Sequence, residues 1–199
     1  MSVDIEKILQ DNQVLKTGHF LLSSGLHSER YFEKFRILEN PNLVQIFCQM
    51  IANHFRNKDI SIVCGPTTGG IIIAYEVARQ MGIRAIFAEL KPDGTGRIIR
   101  RGFIIPENAK ILLVDDVLTT GGSIRETIQA LRPFPGQIIG IGVIVDRCGL
   151  VTKTKDFFLL DTEVDYFACY QKVIENFPPE KCPLCAAKIP LEIPGRSGK

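Results

Sequence analysis

Two adjacent carboxylates, Asp115 and Asp116, follow the apolar run Ile111-Leu-Leu-Val and precede Val117, Leu118, Thr119, Thr120, Gly121, Gly122 and Ser123. The apolar run reads as a buried strand, and the residues after Gly121 read as the start of a helix. Acids at the carboxyl end of such a strand stand where open α/β sheets bind their ligands. The glycines let the backbone come close to a ligand. The N–H groups and dipole of the new helix attract a phosphate, and the hydroxyls of Thr119, Thr120 and Ser123 add donors. Carboxylates repel phosphate but accept hydrogen bonds strongly from sugar hydroxyls. Acids for a sugar beside a cradle for its phosphate describe a ribose 5-phosphate site. A helix cap after a buried strand would explain the turn, but not the paired acids.

The elements that must hold this segment follow from periodicity. Buried strands are expected at Ile60–Cys64, Arg84–Ala88, Ile111–Val114 and Gln137–Val145, with an edge strand at Phe157–Leu160. Helices are expected over about Gly70–Met81 and Gly122–Leu131, and an extended piece over Ile98–Ile105. Alternating strands and helices imply an α/β fold with a central, mainly parallel sheet flanked by helices. Residues 90–97, Leu-Lys-Pro-Asp-Gly-Thr-Gly-Arg, read as a mobile loop. Upstream, an amphipathic helix is expected over 3–15, extended pieces at Phe20–Ser23 and Arg30–Phe35 around a Ser23-Ser24-Gly25 turn, and a helix from Asn40-Pro41-Asn42 to about His54. The expected organisation is a small amino-terminal hood with helices over 1–56, a core over 57–165 and an extension over 166–199, in one compact domain with a frayed end from Ile193.

Composition narrows the class. The 199 residues are 45% hydrophobic and 23% charged, typical of a globular chain. With 24 basic and 22 acidic residues the net charge is +2, too even for a general nucleic-acid binder. No apolar run is long enough to cross a bilayer, and the first residues lack the apolar stretch of a signal peptide. Of six cysteines, Cys48, Cys64, Cys148 and Cys169 sit in apolar or mixed segments and read as buried thiols. A cytoplasmic protein without membrane or nucleic-acid partners is expected.

The segment from Ile111 to Ile124 resembles the phosphoribosyl-diphosphate signature of type I phosphoribosyltransferases. Gly18-His-Phe-Leu-Leu-Ser-Ser-Gly-Leu-His-Ser-Glu-Arg-Tyr-Phe32 is similar to the substrate hood of orotate phosphoribosyltransferases, and Gly65-Pro-Thr-Thr-Gly-Gly70 to their pyrophosphate loop. Arg100-Arg-Gly-Phe103 and Cys182-Pro-Leu-Cys185 resemble a bacterial subgroup of that family. The resemblance implies the type I fold and the conversion of orotate and phosphoribosyl diphosphate (PRPP) to orotidine 5'-monophosphate and pyrophosphate. It implies magnesium carried by PRPP without direct protein ligation, and a homodimer. It places PRPP on Asp115, Asp116, residues 117–123, Thr67, Thr68 and Gly69, and orotate on Thr119, Arg147, Tyr31 and Phe32. A basic loop residue would reach the pyrophosphate: Lys91 first, then Arg97, with Arg100 or Arg101 behind them.

Several of these positions have a second reading. Arg147 suits a carboxylate through two parallel hydrogen bonds, yet Asp146-Arg147 would also serve as a surface ion pair. Lys91 would also serve as a solvated lysine, and strand alternation would send one of Tyr31 and Phe32 into a core. Where better-known orotate enzymes carry lysines in the hood and the pyrophosphate loop, this chain has Ser23 and Gly69, which leaves open another nucleobase or a nucleotide-sensing regulator of the same fold. Cys182 and Cys185 have the spacing of half a zinc site. Cys148 and Cys169 could complete it only if folding brought them near; unliganded thiols are the alternative.

Overall fold

The computed structural model describes residues 4–22, 24–149 and 151–194. The chain forms two compact units, Met1–Glu39 with Val173–Lys199, and Asn40–Lys172. These boundaries differ from the expected ones. The helix after Asn40 joins the core, and most of the extension joins the amino-terminal residues.

The larger unit is built on a six-stranded sheet of order β5-β4-β3-β6-β7-β8. Its strands are β3 (Ile62–Pro66), β4 (Arg84–Leu90), β5 (Arg97–Ile99), β6 (Lys110–Leu118), β7 (Gln137–Asp146) and β8 (Asp165–Gln171). All pairs are parallel except β4 with β5. Helices α3 (Pro41–Phe55), α4 (Gly69–Met81) and α5 (Gly122–Leu131) cover it. The α3 helix starts as its sequence requires: Pro41 occupies the first turn and the Asn40 side chain accepts from the Asn42 and Leu43 N–H groups.

Alternation along β6 serves both faces of the sheet. Ile111 and Leu113 join Ile124, Ile128 and Leu131 of α5 in one apolar cluster. On β7, Gly140 and Gly142 leave room for Phe55 and Ile51 of α3.

The smaller unit carries α1 (Ile5–Asp11), β1 (Leu15–Leu21), β2 (His27–Phe32) and α2 (Phe35–Leu38). β1 and β2 pair antiparallel, with an irregular register between Thr17 and Phe20, and β9 (Asn176–Phe177) adds beside β2. The tail then forms a single helical turn, α7 (Pro183–Ala186), and returns to bridge Phe20 through Glu192. Of the end expected to fray, residues 195–199 lie outside the described residues, as do Ser23 and its place in the expected turn.

One expected strand is corrected. Phe157–Leu160 is not the sheet edge, because Thr154–Phe158 is the helical turn α6, with Phe158 fully buried. A short apolar run does not distinguish a strand from a buried helical turn. The true edge is β8, whose Asp165, Tyr166, Cys169 and Gln171 dilute its apolar pattern.

Candidate active site

The parallel pairing of β3, β6 and β7 puts their carboxyl ends on one sheet edge, where β4 also ends. That single fact gathers residues 67–69 after β3, Lys91 after β4, residues 119–123 after β6 and Arg147 after β7. β6 is sandwiched between two strands and buried almost throughout, so its tip is rigidly placed.

Asp115 and Asp116 are 8% and 3% exposed. One oxygen of each turns back on the chain: Asp115 Oδ1 accepts from the Asp116 N–H at 2.9 Å, and Asp116 Oδ1 from the Val117 N–H at 2.7 Å. Consecutive strand residues face opposite sides. Accordingly Asp115, and not Asp116, lines a small cavity of about 50 Å³ together with residues 117–124.

Thr119 and Thr120 are exposed above that cavity, and Gly121 caps α5 with φ +77°. A Cβ at Gly121 would meet the Phe157 ring at 2.8 Å, so this corner accepts glycine alone. Arg125, which the sequence did not single out, props the turn from behind. Its guanidinium donates to the Thr120 carbonyl at 2.6 Å and to the Phe157 carbonyl at 2.9 Å. The Thr127 hydroxyl donates to the Ser123 carbonyl at 2.8 Å.

The second loop is equally tight. A Cβ at Gly65 would stand 2.0 Å from the Gly70 carbonyl oxygen, so the two ends of Gly65–Gly70 approach as only glycines can. The Thr67–Thr68 peptide is cis. Arg97, expected on a mobile loop, instead begins β5 and is 9% exposed. Its Nη1 donates to the Thr67 carbonyl at 3.1 Å and the Thr67 hydroxyl at 2.9 Å, and its Nε stands 3.3 Å from Glu126. A guanidinium thus lies against the loop that has Gly69 in place of a lysine.

The segment expected to be a loose loop over 90–97 is a hairpin turn. Leu90 pairs with Arg97, the Lys91 N–H donates to the Gly96 carbonyl, and the Thr95 N–H and hydroxyl both donate to Asp93. Residues 91–96 keep the irregular backbone that the Pro-Asp-Gly composition implies, and only Leu90 and Arg97 at its ends are paired. Lys91 is half-buried at the hairpin's start. Arg100 and Arg101 are both ion-paired with Glu89 at 3.0 and 2.7 Å. Those arginines hold the Glu89 carboxyl below its ordinary range, Arg101 first.

At the end of β7, Asp146 is fully buried and its carboxylate accepts from the Cys148 and Gly149 N–H groups, the Tyr166 hydroxyl and the Gln171 amide. This aspartate therefore serves as a knot tying the end of β7 to β8. Burial, then the Asp146 charge, pushes the Tyr166 hydroxyl far above its ordinary range. Arg147 is half-buried, with its N–H bonded to the Leu118 carbonyl at 3.1 Å.

In the smaller unit, Phe32 is 6% exposed, while Tyr31 is half-buried with its ring 5.7 Å from that of Phe20. Phe32 is thus the member of the pair that goes to a core. The Cys148 and Cys169 thiols lie on Asp146 and on the Phe47 carbonyl. Cys182 and Cys185 are instead within 3.6 and 3.7 Å of His19 Nε2.

A larger cavity of about 440 Å³ lies at the opposite, amino-terminal sheet edge, among Lys58, Lys110, Gln137 and Asp165. It has no helix N-terminus or Gly-rich turn and stands away from the edge that α/β sheets use for ligands.

The chain matches the phosphoribosyl transferase domain model over residues 35–167. It is 41% identical over 197 residues to an orotate phosphoribosyltransferase of Caldicellulosiruptor bescii, covering 97% of this chain and 96% of that protein. It is 42% identical over 193 residues to one of Caldanaerobacter subterraneus subsp. tengcongensis, covering 95% and 94%. Among solved structures, the orotate phosphoribosyltransferase of Aeropyrum pernix superposes with a TM-score of 0.69 at 23% identity, covering 84% of this chain and 93% of that one. An adenine phosphoribosyltransferase of Trypanosoma brucei gives 0.65 at 17% identity, covering 86% and 82%. The backbone is therefore common to enzymes of different bases, and the sequence relatives carry the distinction between them.

Proposed function

This chain belongs to the phosphoribosyl transferase family, and on that premise we propose that it is an orotate phosphoribosyltransferase of pyrimidine biosynthesis. It converts orotate and PRPP to orotidine 5'-monophosphate and pyrophosphate. The bond from ribose C1 to a pyrophosphate oxygen breaks and its electron pair leaves with pyrophosphate, while a bond from C1 to an orotate ring nitrogen forms as that nitrogen gives up its proton.

One observation supports this reading most: the paired acids of β6 run directly into the Thr119–Ser123 turn and the N-terminus of α5, at the carboxyl edge of the sheet. The turn holds the 5-phosphate through N–H groups and hydroxyls. Asp115, at the mouth of the small cavity, accepts from a ribose hydroxyl. Asp116 is the second acid for the sugar. Positioning and charge stabilisation account for most of such catalysis, because the sugar becomes positive as pyrophosphate departs.

Thr67, Thr68 and Gly69 take the pyrophosphate through the backbone. Arg97 is a positioning residue that fixes Thr67 and contributes positive charge beneath the loop. Lys91, at the start of the neighbouring hairpin, is the basic residue that reaches the leaving group. Arg147 grips the orotate carboxylate, and Thr119 borders the base. The polar side chains of residues 115–123 are carboxylates and hydroxyls, a hard donor set that fits magnesium carried on PRPP. When bound, the ion neutralises charge on the departing pyrophosphate. The active form is a homodimer, which sedimentation of the full chain tests.

The deciding experiment follows the ultraviolet absorbance of orotate with PRPP and magnesium. Loss of orotate matched by release of pyrophosphate is expected. Intact orotate alongside turnover of adenine or another base would overturn the substrate while keeping the family.

A further inference from the structure

The smaller unit holds a cluster that the transfer reaction does not use. His19 and His27 stand on neighbouring strands of the hairpin, Cys182 begins the helical turn α7, and Cys185 lies one turn on. One ligand atom from each lies within 4.8 Å of all the others. We propose that His19, His27, Cys182 and Cys185 bind one zinc ion tetrahedrally and clamp the carboxyl-terminal tail to the amino-terminal hairpin.

The geometry points to a metal. His19 Nε2 is 2.9 Å from His27 Nδ1, 3.6 Å from Cys182 Sγ and 3.7 Å from Cys185 Sγ, and His27 Nδ1 is 3.3 Å from Cys185 Sγ. Tetrahedral zinc, with its usual bonds to nitrogen and sulfur, separates neighbouring ligand atoms by about 3.3 to 3.8 Å. The two nitrogens need to part only slightly to match.

The tautomer is also set. His19 Nδ1 is 2.8 Å from the Ile189 carbonyl, which can only accept, so Nδ1 carries the proton and Nε2 offers its lone pair to the cluster. A ligating histidine whose other nitrogen donates to a backbone carbonyl is the usual arrangement at zinc. Two thiolates and two imidazoles form a soft, closed set that suits structural zinc rather than magnesium or calcium.

The fold prepares this site. The irregular register between Thr17 and Phe20 falls where His19 turns inward, and His27 pairs with Phe177 of the returning tail. The Glu192 N–H then donates to the His19 carbonyl at 2.7 Å, which brings the tail alongside β1. His19, His27 and Cys182 are 2%, 5% and 4% exposed, whereas Cys185 is exposed and gives the ion a way in. Cys182 and Cys185 are free thiols, with no disulfide between them. His19 and Cys182 are 163 residues apart, so one ion cross-links the ends of a long chain, which restricts the unfolded state strongly.

The test uses the full chain purified without a metal-affinity step. Elemental analysis should find one zinc per chain, and replacement with cobalt(II) should give the visible bands of a tetrahedral site with near-ultraviolet thiolate-to-cobalt charge transfer. Cys185→Ser, at the exposed ligand, should bind zinc at least tenfold more weakly, while Cys148→Ser keeps full occupancy. Should Cys185→Ser fail to fold, the wild-type chain still decides: titration of its thiols with a mercurial should release zinc in proportion. A wild-type chain that takes up neither zinc nor cobalt overturns the site, as does zinc content unchanged in both Cys185→Ser and His27→Gln.

Discussion

The two polar clusters of this chain are built in opposite ways. Asp115–Ser123 are consecutive residues, and one strand–turn–helix supplies acids, hydroxyls and free helix N–H groups together. His19, His27, Cys182 and Cys185 come from two strands and a distant tail, and converge only when the smaller unit closes. The first cluster opens to solvent at Thr119 and Thr120; in the second, three of the four ligands are buried. A site that turns over substrate needs room and exposed donors, whereas a structural metal site needs a filled shell. Substitutions in the first should therefore change kinetics with the fold intact, and substitutions in the second should change the fold.

The strongest attempt to break that contrast is Gly65→Ala. It touches the loop proposed to hold pyrophosphate, yet its effect should be structural, because the new methyl would meet the Gly70 carbonyl oxygen at 2.0 Å. A loss of more than about 4 kcal/mol is expected, as for other large backbone clashes. Urea unfolding measures it, and an unchanged midpoint would mean that the loop ends do not close as described.

Next in size, Asp115→Asn and Asp116→Asn should each lower kcat/KM for PRPP by about 10- to 100-fold, the value of a hydrogen bond to a charged group. Unfolding midpoints should hold within a few degrees. If either variant keeps wild-type kinetics, the sugar contact assigned to that acid is wrong. Arg147→Ala follows, raising KM for orotate roughly tenfold while KM for PRPP changes little. Equal losses for both substrates would remove the carboxylate grip.

How much of this was legible in the sequence follows from locality. The acids, the turn after them and the core strands could be read because each is encoded by adjacent residues: Ile111–Ser123 is apolar, then acidic, then turns. Arg97 was misplaced because Pro92, Asp93 and Gly94 look like a loose loop, while the pairing of Leu90 with Arg97 is a tertiary fact. Phe157 and Phe158 look like strand residues and fold as a helical turn whose neighbours include Gly121. The Cys-x2-Cys pair was visible, but its partners were not. His19 and His27 lie in a hairpin more than 150 residues away, and no periodicity joins them to the tail.

The smallest expected effect sharpens the contrast through the thiols. Burial alone pushes Cys64 up to about 12, and burial first of all pushes Cys169 to about 12. An acid whose pKa is raised stays protonated below that value, so at pH 8 only about one in 10⁴ of these side chains is thiolate. They should not react with a disulfide reagent in the folded chain at that pH. Cys182 and Cys185 should differ for another reason: held as thiolates by a metal they are protected, and a chelator should expose them. Counting reactive thiols at pH 8 before and after chelation should therefore show a rise of two that is absent in a Cys182→Ser, Cys185→Ser double variant. A rise that includes Cys64 or Cys169 would show that removing metal from the smaller unit also opens the core of the larger one, and that the two clusters are less independent than their construction implies.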